Sequence, residues 1–343
     1  MGFKSMKKVL IIMLALAAFV TLGIKGCSIA MRSEVRRHIP RAVKDFRRTY
    51  CFCAEDSLFM DRYVDTAVYV EGRRPVMIYS FGGGWMTGSR ADKASYLMVE
   101  RLVSLGYIVC NIDYRLRIAE FKAAGELNES NFVDCYCEAI DAGVEDIYRA
   151  TRYILDHAEE WDVDTTRIVL AGSSAGAHNS LQAEYRLCRG EALARHYLPE
   201  DFDYGGVISM AGALWLRGRE TPLDWCRRPC PVMFFHGSKD QLVTYDEDHT
   251  WCAAYGPVPI YRNLEEMGAT AWFCDFKDGD HVLSSVPMFD CLDDICTFLD
   301  RAVMQRLDFR IHTVDESLPP KDFAHLNELY GDRFGWMFLP VDE

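Results

Sequence analysis

Short apolar runs without polar alternation punctuate the chain at 76–80, 107–112, 168–170, 206–210, 232–236 and 271–276. Runs of this length suit buried strands covered on both faces. A looser alternation over 57–70 predicts one earlier strand. Between the runs, apolar residues recur at helical spacing over 94–105, at Val144, Ile147, Tyr148, Thr151, Ile154 and Leu155, over 260–267 up to Gly268, and over 288–303. Residues 116–142 keep neither period and read as an irregular polar insertion, and 211–231 as a loop rich in Trp, Arg and Cys. The run 271–276 reads as the last core strand. Strands alternating with helices predict an α/β fold, a mostly parallel sheet with helices on both faces.

With 343 residues, half of them hydrophobic, the chain can bury one large core, which the pattern assigns to residues 31–306. Residues 307–343 carry Phe309, Phe323, Tyr330, Phe334, Trp336 and Phe338, too aromatic for a solvated tail, and are expected to pack on the body. Residues 1–30 have the layout of an export leader: Lys4, Lys7 and Lys8 precede an apolar run over 9–24. Ile24-Lys-Gly-Cys27 is similar to a lipoprotein cleavage box, although Lys25 departs from it. Against export stands the basic stretch Arg32, Arg36, Arg37, Arg41, Lys44, Arg47 and Arg48, by the positive-inside bias; it reads otherwise as a solvated basic helix. The expectation is the cell envelope, through a lipidated Cys27 or an N-terminal membrane anchor.

A net charge of −13 argues against a nucleic-acid partner, since phosphate binding needs clustered Lys and Arg. The 13 cysteines lack metal-site spacing with His partners, so no metal is expected. Cys110 and Cys274 fall in predicted strands as buried thiols. Cys226 and Cys230 flank a loop and could bridge in an oxidising compartment.

The chemistry concentrates at strand ends. Gly172-Ser-Ser-Ala-Gly176 fits G-x-S-x-G between a buried strand and a helix, a turn sharp enough to lift Ser174 above the sheet at the positive end of the helix. Gly82-Gly-Gly84 follows another strand, and backbone N–H groups there and at Ala175 can reach a developing oxyanion unobstructed. No Lys-Ser/Thr follows and no G-x-G-x-x-G is present, so a phosphate cradle is disfavoured. Asp240 lies just past the strand 232–236 and His281 just past 271–276, at the edge where ligands gather in such sheets. A serine needs a base and the base an orienting acid. Asp246, Asp248 and His249 look like a solvated run, Asp280 would point elsewhere, and His178 sits on the elbow helix. Trp85 and Trp215 are candidates to line a pocket.

Taken together, Phe81-Gly-Gly-Gly-Trp85, Asp113-Tyr-Arg115, Gly172-x-Ser174-x-Gly176, His236-Gly-Ser-Lys-Asp240 and Gly279-Asp-His281 resemble the α/β-hydrolases of the esterase/lipase group, related to hormone-sensitive lipase and to bacterial carboxylesterases. The resemblance implies a Ser174–His281–Asp240 triad, an oxyanion hole from Gly83, Gly84 and Ala175, and no cofactor. It also implies hydrolysis of a short acyl ester, by analogy one on a carbohydrate. Phe81 departs from the His usual there. The rivals are a prolyl-oligopeptidase-like peptidase, which shares this core, and a catalytically silent binding protein on the same fold. Oligomeric state is left open.

Overall fold

The computed structural model describes residues 46–316. The leader with Cys27, the basic residues up to Lys44 and the aromatic positions Phe323 to Phe338 lie outside the described residues. Among the described residues, no helix is long and apolar enough to cross a membrane.

Nine strands form the main sheet: β1 (Arg47–Cys53), β2 (Leu58–Tyr63), β3 (Arg74–Ser80), β4 (Ile108–Ile112), β5 (Val163–Ser173), β6 (Gly206–Met210), β8 (Val232–Gly237), β11 (Ala271–Phe276) and β12 (Arg310–Asp315). Their order is β1-β2-β4-β3-β5-β6-β8-β11-β12. The β1–β2 and β2–β4 pairs are antiparallel and the rest parallel. A small antiparallel sheet joins β7 (Leu214–Leu216), β10 (Ala253–Tyr255) and β9 (Glu247–Asp248). The continuous apolar runs are indeed the covered strands: every residue of β3, β4, β6 and β8 is buried. The chain thus has the mostly parallel α/β architecture that its pattern predicts.

The edges and the polar stretch differ from expectation. Arg47 and Arg48 are exposed residues of edge strand β1, not part of a helix. At the other edge a further, largely exposed strand, β12, pairs with β11, outside the last core strand at 271–276. Both edge strands are largely exposed, and an edge strand covered on one side needs no apolar run. The stretch 116–142 is not irregular: it holds helix α2 (Arg117–Ala123) and the first turns of α3 (Phe132–Asp156). The buried stripe of α3 begins with Cys135, Tyr136, Ala139, Ile140 and Gly143, of which all but Ile140 are small or amphipathic and carry little hydropathy signal. Every cysteine among the described residues is a free thiol. Cys226 bonds Asp224, while the backbone of Cys230 bonds Glu184, so these two thiols serve different neighbours.

The chain leaves β3 for β4 on one side and returns to β5 on the other. Such a reversal opens a crevice at the carboxyl ends of the strands. Asp113-Tyr-Arg115 braces it. Asp113 accepts from the Arg90 guanidinium at 2.6 Å, the Tyr114 hydroxyl donates to the Phe81 carbonyl at 2.9 Å, and Arg115 grips Asp146 and Glu145 on α3.

Helix α4 (Ala175–Cys188) starts in this crevice at very close range. A Cβ on Gly176 would lie 2.1 Å from the Ser80 carbonyl oxygen, and one on Gly172 would lie 2.2 Å from that of Gly176. Both obstacles are backbone and cannot rotate away. Gly176→Ala should therefore destabilise the protein by about 3 kcal/mol or more, read as a lowered urea midpoint. An unchanged midpoint would show that the helix can retreat without loss.

Candidate active site

Ser174 joins β5 to α4 with φ 50° and ψ −116°, a strained backbone for a residue with a side chain. The strain is held in place from both sides. The Ser174 N–H donates to the Met210 carbonyl at 2.8 Å, and its own carbonyl accepts from His178 N–H at 3.0 Å. The elbow thus presents the hydroxyl at the sheet's edge, before the first N–H groups of the helix.

Two other strand ends deliver its partners. The loop after β11 carries His281, whose Nε2 lies 2.9 Å from Ser174 Oγ. The loop after β8 carries Asp240, whose Oδ2 lies 2.7 Å from His281 Nδ1. A carboxylate can only accept, so Nδ1 carries the proton and Nε2 is free to accept from the serine hydroxyl. The three residues that the sequence pointed to are hydrogen-bonded in one line, though they lie up to 107 positions apart.

Asp240 is wholly buried at its side chain. Its Oδ1 accepts from the backbone N–H groups of Leu242 and Val243, at 2.9 and 3.0 Å. Burial pushes the carboxyl up, but hydrogen bonds from His236 and His281 outweigh it and hold the group well below the usual carboxylate range. The rival carboxylates are elsewhere. Asp246 and Asp248 are exposed, and Asp280 caps the turn after it by accepting from Val282 N–H at 3.0 Å.

The glycine loop faces the elbow. A Cβ on Gly82 would sit 3.2 Å from that of Ser174. Gly83 has φ 131°, and a Cβ there would lie 2.1 Å from the Thr87 carbonyl oxygen. That loop is clamped by Met86 and Thr87 N–H groups donating to the Gly83 carbonyl. Phe81 is buried and its ring stacks on Tyr114, centroids 4.3 Å apart, so packing and the Tyr114 hydroxyl fix the start of the loop.

Trp85 ends the loop, buried, its indole N–H donating to Asn179 at 3.0 Å. Trp215 is half-buried; it and Trp85 both pack on the His178 ring, and Tyr136 contacts both tryptophans. Burial first, then the nearby His281, push His178 down to about 3, so its ring stays neutral. His178 and Asn179 thus act as neighbours of the site that the sequence did not assign. Their one signal was position, within two turns of Ser174. Among the described residues no cluster of metal-ligating side chains is present.

Residues 60–131 and 135–187 match the BD-FAE family model. The match takes in both the glycine loop and the Ser174 turn. Among curated proteins, the chain is 32% identical over 111 residues to the carboxylesterase NlhH of Mycobacterium tuberculosis, covering 32% of this chain and 29% of that protein. It is 28% identical over 108 residues to the probable N-octanoylanthranilate hydrolase AqdA2 of Rhodococcus erythropolis, covering 32% of this chain and 21% of that one. The matched segments thus span less than a third of these relatives' length. Among solved structures, Thermogutta terrifontis esterase 2 superposes with a TM-score of 0.53 at 19% identity, over 74% of this chain and 94% of the other, which shows the shared fold.

The direction of the Gly83 and Gly84 N–H groups is set by backbone. Phe81→His should change turnover of a short-chain aryl ester by far less than the ~100- to 1000-fold cost of losing one oxyanion donor. Gly83→Val, forced against the Thr87 carbonyl, should approach that loss. A hundredfold gain from Phe81→His would mean that the native loop is misaligned.

Proposed function

We propose that the protein is a serine carboxylic-ester hydrolase acting on a short acyl ester, with an acylated carbohydrate as its finer substrate class. The observation that carries this reading is the unbroken line Ser174 Oγ–His281–Asp240, at 2.9 and 2.7 Å. The esterase names of the relatives support it.

In this mechanism Ser174 passes its proton to His281 Nε2 as Oγ attacks the ester carbonyl. Negative charge develops on the carbonyl oxygen, where the N–H groups of Gly83, Gly84 and Ala175 receive it. Asp240, ionised and fully hydrogen-bonded, steadies the imidazolium that forms. His281 then returns the proton to the leaving alcohol, and water repeats the sequence on the acyl-enzyme. Half-buried Trp215 serves as a wall for substrate, with Trp85 packed behind it. No step calls on a metal or cofactor.

A fluorophosphonate probe should label the native protein and fail on Ser174→Ala, while that variant keeps its fold. Labelling that persists would move the nucleophile, with Ser173 next to be tested. A panel of aryl esters, acetylated sugars and peptides should show turnover of esters alone; cleavage of peptides would support the peptidase rival instead.

Asp240→Asn should lower kcat by about a thousandfold or more, because an amide favours the wrong imidazole tautomer. Asp248→Asn, on the exposed run, should leave kcat within twofold. The opposite ranking would overturn the choice of acid.

A further inference from the structure

Asp240 has a further polar neighbour that the mechanism above leaves idle. His236, at the end of β8, is 1% exposed, and its Nε2 lies 3.3 Å from Asp240 Oδ2 and 3.3 Å from the Val243 carbonyl oxygen. Both neighbours are acceptors, so Nε2 must carry a proton shared between them. The one hydrogen thereby ties the acid to the strand that precedes it and to the loop that follows it.

Resting on the Ser174–His281–Asp240 reading, we propose that His236 is a positioning residue: its Nε2–H fixes Asp240 Oδ2 on the line to His281 Nδ1. Oδ1 is already locked by two backbone donors, so rotation of the carboxyl group is opposed at both oxygens. The other groups around His236 suit a donor that stays put. The Tyr245 ring stands edge-on at 6.1 Å, Asp275 is its register partner on β11, and His178 approaches from α4. Asp275 is engaged by His312 at 3.1 Å. Gly237 is part of the same device. A Cβ there would lie 2.2 Å from the Gly279 carbonyl oxygen, so the acid loop and the base loop meet directly behind the two side chains.

The test is a double-mutant cycle on an aryl ester, with unfolding midpoints recorded for each protein. His236→Phe keeps an aromatic ring and loses the donor. It should lower kcat roughly tenfold, the low end for a hydrogen bond to a charged group, with KM within twofold. His236→Gln, whose amide N–H can reach the same place, should recover most of the loss. On an Asp240→Asn background His236→Phe should cost nothing further in kcat, because there is no carboxylate left to hold. An equal loss on both backgrounds, or a lowered midpoint with kcat intact, would overturn the proposal. An Asp240→Asn enzyme of native kcat would instead remove the triad reading on which the proposal rests.

Discussion

How near one helix can come to one strand decides everything at this site. The backbone of α4 at Gly176 approaches the carbonyls of Ser80 and Phe81 so closely that no side chain fits between them. That contact brings the end of β3, with its glycine loop, against the turn that bears Ser174. The Ser174 turn and the glycine loop are therefore set relative to each other by main-chain packing, which leaves little freedom to relax. The strained dihedrals of Ser174 are the counterpart of this approach, stabilised by the hydrogen bonds to Met210 and His178.

The rest of the sheet supplies the remaining groups by the same logic. Asp240 and His281 sit on loops after adjacent strands, β8 and β11, whose register is fixed residue by residue from Ala271 to Phe276. Gly237 and Gly279 touch between them. Side chains distant in sequence thus become neighbours because each lies within five residues of the end of a paired strand. The alignment of these side chains is a property of strand ends rather than of any local motif.

This explains what was legible beforehand. The parallel strands announced themselves because burial on both faces demands unbroken apolar runs, and the three aligned residues each follow such a run or its turn. Edge strands β1 and β12 carried no such demand, so Arg47 and Arg48 were read as helix and residues 310–315 as tail. Helix α3 escaped in part because Cys135, Ala139 and Gly143 pack by smallness, not by hydropathy. His236 stood in plain view within His236-Gly-Ser-Lys-Asp240, but nothing in the spacing tells that its ring turns toward the acid. That fact depends on where Val243 lies.

The position of β12 has a consequence for the order in which this molecule can be completed. Its partner β11 immediately precedes the loop of His281, yet β12 follows only after the whole helical segment 287–304. On a ribosome, where chains emerge from the amino end, the elbow and glycine loop have their neighbouring strands early. The histidine's strand keeps one open edge until the final described residues appear. The last strand made in the described chain is thus the one that closes the side of the sheet from which His281 is presented.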